Sequence, residues 1–356
     1  MDVIVVGAGP IGCYLAYLLA KKGYGVRIYE EHKEVGRPLQ CSGVVSENGL
    51  RSLNLYKKGF ILSKVSEFRL HSFKTCLRLK LRKTKICILD RVRFDKYLAR
   101  LAENKNACIE LGKRVRIVRK NGRFFAKVGD KIERSKVIVV ADGNTSDYAR
   151  KIFGNKYEKI IAIQWDFPEV QRHIDVFFNK SLSKNFYAWV IPKGNCIGVG
   201  LGDSIENFSF KNFEKFLKNL KVEKKVINRI SGKISIGYAR KTCIDNLLAV
   251  GEAALQVKPF TGGGIIYGLN CAEIASFAIS KYLENSNPLR LYEILWKGRY
   301  KKEIIAGLFL RKLYKVVGNP QIDLALKLLK YRKAVIEGYF DYESYFSLFL
   351  SFLTRG

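Results

Sequence analysis

Two glycine-rich turns at opposite ends of the chain limit what it can fold into. The first is Gly7-Ala8-Gly9-Pro10-Ile11-Gly12; the second, far downstream, is Gly251-Glu252-Ala253-Ala254 with Pro259-Phe260-Thr261-Gly262-Gly263-Gly264-Ile265. The runs Val3 to Val6 and Leu247 to Val250 precede them and read as buried strands. Ile11 to Lys22, with Leu15, Leu18 and Leu19 at helical spacing, and Gly263 to Tyr282 read as the helices that follow. Gly25 to Tyr29 supplies a second strand, closed by Glu30. In such a βαβ opening Gly7 permits the tight turn, Gly9 lets backbone approach a pyrophosphate, and Gly12 allows close helix–strand packing.

Between the two turns the pattern changes. Phe94 to Glu103 is expected to be helical, Ala107 to Val118 and Arg123 to Val128 to be strands, and Lys136 to Ala141 to be a buried strand ending at Asp142-Gly143. From Glu158 to Gly202 the runs become aromatic and alternating, as in Ala162 to Phe167, Ile174 to Phe178, Phe186 to Ile191 and Cys196 to Leu201. These predict an antiparallel sheet inserted into a nucleotide-binding domain. From Leu289 onward the chain reads as helical, basic and aromatic.

The 356 residues suffice for two or three domains, and 48% hydrophobic content excludes a disordered chain. Sixty-four Lys and Arg against 32 Asp and Glu give a formal net charge of +32. That excess suits either a Lys-rich, solvated surface or an anionic partner: nucleic acid, a phosphorylated substrate or a membrane face. No leader is expected, because the first strand begins at Val3, and no apolar run reaches the ~20 residues of a membrane span. Eight cysteines without a Cys-x-x-Cys pair indicate neither a zinc site nor a redox dithiol, so no metal is expected. A cytoplasmic protein with mostly reduced thiols is the expectation.

Two glycine grips on one discontinuous domain suit a long dinucleotide, which points to FAD. A pyrophosphate would lie on the N-terminus of the first helix, and Glu30 can accept hydrogen bonds from ribose hydroxyls. Arg91, in Leu89 to Leu98 just before a helix, can reach cofactor phosphates, and Val115 can offer backbone to adenine. Glu252 can bind a ribityl chain, and the helix opening at Thr261 to Ile265 can face the flavin pyrimidine edge.

Further motifs narrow the pattern. Ala141-Asp142-Gly143-Asn144-Thr145-Ser146, the Arg-x-x-Phe-Asp of Arg91 to Asp95, and the loop Val35-Gly36-Arg37-Pro38-Leu39-Gln40-Cys41-Ser42-Gly43-Val44 join the two turns. So does Phe186-Tyr187-Ala188-Trp189-Val190-Ile191-Pro192-Lys193. Together they resemble the glutathione-reductase-type FAD proteins of the aromatic-hydroxylase branch, and within it the geranylgeranyl reductases, notably archaeal digeranylgeranylglycerophospholipid reductases. The likeness covers scattered blocks of residues 1–285. It departs at Glu252, where the family has Asp, and at Ile191, where it has Phe.

The resemblance implies an α/β chain: a three-layer, Rossmann-like FAD domain (1–62, 88–155, 238–285), a substrate sheet (63–87, 156–237) and a basic helical region (286–356). It implies Ile11, Glu30, Cys41, Ser42, Val44, Arg91, Val115, Glu252, Gly264 and Ile265 as FAD contacts. Gly7, Gly9, Gly12, Arg37 and Gly263 join them as cofactor-binding candidates. Trp165, Phe167, Phe177, Phe178, Phe186, Tyr187 and Trp189 are plausible walls of a lipid tunnel, with Trp165, Tyr187, Trp189 and Pro192 as substrate-binding candidates. Cys41 and Tyr187 are candidate catalytic groups for proton delivery.

The implied activity is hydrogenation of isolated prenyl double bonds in an ether-lipid precursor, with NAD(P)H, ferredoxin or a quinol as external donor. A monooxygenase or halogenase of the same fold is the alternative. Lys297, Arg299, Lys301, Lys302, Arg311, Lys312 and Lys315 alternate with Trp296, Tyr300, Leu308, Phe309 and Tyr314, and Phe340 to Leu353 is apolar. These segments suggest a peripheral contact with an anionic membrane face rather than with nucleic acid.

Overall fold

In a computed structural model that describes residues 1–82, 85–222, 225–285, 287–339 and 342–344, the chain opens with the strand Val3–Val6 in the middle of a six-stranded sheet. Val26–Tyr29 and Val137–Val140 pair with it in parallel, one on each side. Cys108–Glu110 extends one edge, and Leu247–Ala249 with the short antiparallel Cys243–Ile244 extends the other. All four residues of Val3–Val6 are buried because both faces of the sheet are covered. Val3 and Val5 pack against the helices Pro10–Ala20, Arg91–Glu103 and Ile265–Asn285, through Leu15, Leu19, Phe94, Leu98 and Leu269. Ile4 and Val6 pack the other way, on Val115, Phe124 and Ala126 of a three-stranded meander. A parallel sheet covered on both faces needs such unbroken apolar strands.

The run Ala107 to Val118 holds two strands, Cys108–Glu110 and Val115–Lys120, separated at Gly112 with its φ of +67°. The first belongs to the parallel sheet and the second starts the meander. Asp90 caps the helix Arg91–Glu103 by accepting from the Arg93 N–H at 3.0 Å, so Arg91 stands in its first turn and not before it.

The second large sheet has seven strands, in the order Asn228–Gly237, Tyr157–Phe167, Ile197–Ser204, Ala188–Pro192, Ile174–Phe177, Glu67–His71 and Cys76–Lys80. It is antiparallel except for one pair: Ile174–Phe177 runs parallel to Glu67–His71, which the alternation of a single strand cannot reveal. A small sheet of Val44–Ser46, Ile86–Leu89 and Ile61–Val65 joins the two large ones, so residues 62 and 63, like 87 and 88, share a strand.

The C-terminal helix Leu291–Val316 packs into the main core with Tyr292, Trp296 and Ile304 fully buried. Trp296 Nε1 donates to Thr242 Oγ1 at 2.9 Å. Trp296, Tyr300 and Tyr314 therefore do not form the surface patch that their spacing suggested. Arg311 is likewise buried, in a bidentate pair with Glu158 at 3.2 and 3.0 Å, and Lys315 joins the same carboxylate at 2.7 Å. Among the described residues no helix is long and apolar enough to cross a membrane. The apolar stretch Phe340 to Leu353 lies almost wholly outside the described residues.

Because Trp296 is core, Trp296→Ala should lower unfolding stability by ~3–5 kcal/mol. The exposed neighbour change Ile294→Ala should stay within ~0.5 kcal/mol, both measured by denaturant titration.

Candidate functional site

The first turn is built by close contact. At Gly7, whose φ is +102°, a Cβ would lie 2.7 Å from the Ala141 carbonyl oxygen; at Gly12 it would lie 2.1 Å from that of Gly7. The helix Pro10–Ala20 thus presses directly on the strand ends. At Gly9 a Cβ would meet nothing within 4 Å, because this glycine faces open space. Glu30 closes the turn from the second strand: its carboxylate accepts from Ala8 N–H at 2.7 Å and from His32 N–H at 3.0 Å.

A cavity of about 1190 Å³ runs from this turn. Gly7, Gly9, Ile11, Glu30 and Val115 line it, as do Arg37, Cys41, Ser42, Val44 and Arg91. Glu252, Gly263, Gly264 and Ile265 line the same cavity, and so do Tyr187 and Trp189 with Phe178, Phe186, Phe260, Phe68 and Leu70. The two glycine grips therefore face one space, which also has a wall of apolar and aromatic side chains. An elongated dinucleotide fits it: a helix N-terminus and the bare backbone at Gly9 suit a pyrophosphate, and a carboxylate stands where a ribose would lie.

Trp165 and Pro192 stand outside this cavity. Side chains alternate along a strand, so Ala162 of Tyr157–Phe167 faces the cavity while Trp165 packs on Phe213 at a ring distance of 5.2 Å. Trp189 and Ile191 face it likewise, and Pro192 turns away. Phe167 and Phe177 belong to the same outer cluster as Phe213 and Phe216.

Arg91 is held in place. Its Nε and Nη2 donate to Asp95 at 3.1 and 2.9 Å, one helical turn on. Cys41 Sγ accepts from Gly43 N–H at 3.5 Å. Tyr187 donates its phenol proton to the Thr261 carbonyl at 2.6 Å, tying the aromatic wall to the second glycine loop. Glu252 Oε1 accepts from the Ser235 N–H at 2.7 Å. Burial pushes this carboxyl up to about 7, against the Ser235 bond and the Arg150 charge.

A buried polar chain supports the wall, and sequence reasoning missed it. The Gln164 carbonyl accepts from Ser42 Oγ at 2.6 Å and from Trp189 Nε1 at 2.9 Å. Its amide group donates to Asp166 at 2.8 Å, and Asp166 is paired with the buried Lys193 at 2.5 Å. A carboxylate that accepts only fixes which end of the amide faces it, so the carbonyl is aimed at the cavity wall. Gly198 and Gly200 make the room: a Cβ there would come within 2.3 Å of the Gln164 and Trp189 side chains. The glycines at alternate positions 198, 200 and 202 were the available signal, since they leave one face of a strand bare.

Two outcomes follow. Unfolded Glu252 loses its proton near its ordinary 4.5 and folded Glu252 only near 7. Between those values the folded state binds more protons, so stability should fall as pH rises through the window, and Glu252→Gln should flatten that slope in denaturant titrations of the flavin-free protein. Gln164→Met should strand the buried Asp166 and Trp189 groups at a cost of ~1–3 kcal/mol each and shift tryptophan emission.

Known proteins give the same picture. Residues 5–56 match the NAD(P)-binding Rossmann-like domain family. The chain is 32% identical to the uncharacterized protein MJ1520 of Methanocaldococcus jannaschii over 92% of its own length and 88% of that protein. It is 27% identical to the digeranylgeranylglycerophospholipid reductase of the same organism, covering 92% and 90%. A solved structure of a geranylgeranyl bacteriochlorophyll reductase-like protein from Thermoplasma acidophilum superposes with a TM-score of 0.86 at 25% identity, covering 92% and 91%. The chain belongs to the geranylgeranyl reductase family of FAD-dependent oxidoreductases.

Proposed function

We propose that the protein hydrogenates isolated double bonds of geranylgeranyl chains in an ether-lipid precursor of archaeal membranes. The observation that carries this reading is that one cavity is lined both by the polar cradle at Gly9 and Glu30 and by the apolar side chains Phe68, Leu70, Phe178, Phe186 and Trp189, with Cys41 and the second glycine loop in the same wall. That apolar lining suits a long, unsaturated hydrocarbon, and a digeranylgeranyl lipid is what several relatives are named for reducing.

Gly7, Gly9, Ile11, Gly12, Glu30, Arg37, Arg91 and Val115 would hold the adenosine and pyrophosphate half of FAD. Cys41, Ser42, Val44, Glu252, Gly263, Gly264 and Ile265 would hold the ribityl and ring half. When bound and reduced, FAD supplies a hydride. Tyr187, Trp189 and the phenylalanines beside them exclude water and align the chain. Cys41 holds a proton at Sγ, beside Arg91, for the second carbon of the reduced bond. Tyr187 serves as an anchor to Thr261 more readily than as an acid, because its proton is already donated. Electrons come from an external donor, NAD(P)H, ferredoxin or a quinol.

The test is anaerobic turnover of a geranylgeranyl diether by FAD-loaded, dithionite-reduced protein, followed by lipid mass spectrometry. One added pair of hydrogens per reduced bond is the expected product. Incorporated oxygen, or a strict need for oxygen, would overturn the reading in favour of a monooxygenase or halogenase. Cys41→Ala should lower kcat per bound FAD by about 10²-fold or more.

A further inference from the structure

The outer face of the C-terminal helices has no role in the site. On the helix Leu291–Val316, Ile305, Phe309, Leu313 and Val316 are exposed, Phe309 by 59% and Val316 by 77%. Their spacing of four, four and three residues places them along one face. Lys301, Lys302 and Lys312 are exposed on that same face. On the next helix, Asn319–Tyr331, a second stripe is exposed: Leu324, Leu328 and Tyr331, the last by 88%. Lys327 and Lys330 lie beside it.

Between Lys301 and Tyr331 the sequence holds two carboxylates, and both are engaged elsewhere. Glu303 accepts from Ser344 Oγ at 2.5 Å, and Asp323 is buried, accepting from the Lys74 N–H at 2.9 Å. Large apolar side chains mixed with lysines, and no carboxylate among them, suit a surface that is greasy below and anionic above. A folded partner protein would not require this one-signed charge.

The same helices wall the cavity from behind. Leu310, next to Phe309, lines it. Leu326 is buried with Leu77, Leu79, Phe186 and Trp189. One layer of helix therefore separates the apolar lining of the cavity from the apolar face.

We propose that this face, Ile305, Phe309, Leu313 and Val316 with Leu324 and Leu328, docks the protein on an anionic lipid bilayer. The apolar side chains enter the interface and the lysines engage headgroup phosphates. This goes beyond the proposed chemistry, and its test needs no turnover.

The experiment is sedimentation of the FAD-loaded protein with vesicles of phosphatidylglycerol and phosphatidylcholine in equal parts, against phosphatidylcholine alone. Binding should favour the anionic vesicles at least about tenfold and weaken with salt. The double variant F309E/L313E and the triple variant K301E/K302E/K312E should each bind at least about tenfold more weakly. Both should keep wild-type FAD content, melting temperature and mass by light scattering. Equal binding to both vesicles, or variants that bind like wild type, would overturn the proposal. So would a wild-type dimer that F309E/L313E dissociates, since a second copy would then cover the face. A drop in melting temperature in that variant would mean that the chain's own last residues cover it, which also overturns the proposal.

Discussion

The contact on which the rest depends is backbone against backbone at the end of the first strand. A Cβ at Gly12 would lie 2.1 Å from the Gly7 oxygen, and one at Gly7 would lie 2.7 Å from the Ala141 oxygen. Three elements therefore meet with no side chain between them: the strand Val3–Val6, the helix Pro10–Ala20 and the end of Val137–Val140. This brings a helix N-terminus and the Ala8 N–H to one point, and Glu30 arrives beside them from the neighbouring strand. The cradle is a product of main-chain packing, and its polar character follows from the helix end.

The apolar wall of the cavity is organised by a different rule. Strand alternation sends Trp189 and Ile191 inward and Trp165 outward, so an aromatic-rich sheet serves two clusters at once. The inner wall is stiffened by the Lys193–Asp166–Gln164 chain, which ends on Ser42 of the cysteine loop and on Trp189. A buried ion pair contributes little net stability by itself, but a satisfied network fixes geometry. Here it links the loop that carries Cys41 to the sheet that carries the aromatic wall.

Charge is used unevenly. Lys193, Arg311 and Lys258 are buried, Arg91 is nearly so, and they pair with Asp166, Glu158, Glu343 and Asp95 in turn. These pairs hold elements together: Lys258 fastens the segment Tyr342–Ser344 beside the second glycine loop, and Arg311 fastens the C-terminal helix to the substrate sheet. The exposed lysines of the C-terminal helices, Lys301, Lys302 and Lys312 among them, set the field on the outer side of the molecule. Spacing along the chain does not separate the two groups, because Arg311 and Lys312 are neighbours with opposite fates.

The amino-acid sequence by itself determined the parallel sheet, the two turns and most of the residues that line the cavity. Those features arise from neighbours within a few residues: an unbroken apolar strand, a glycine whose φ must be positive, an acidic residue at a strand end. Only the tertiary structure decided which way Trp165 and Pro192 point, that Trp296, Tyr300 and Tyr314 are core, and that Gln164 lies against Ser42 across 122 residues of chain. The reason is physical. A periodic pattern defines a face, but which partner covers that face depends on elements distant in sequence. The same is true of the parallel pair Ile174–Phe177 with Glu67–His71, whose direction is set by the path of the chain between them and not by either strand.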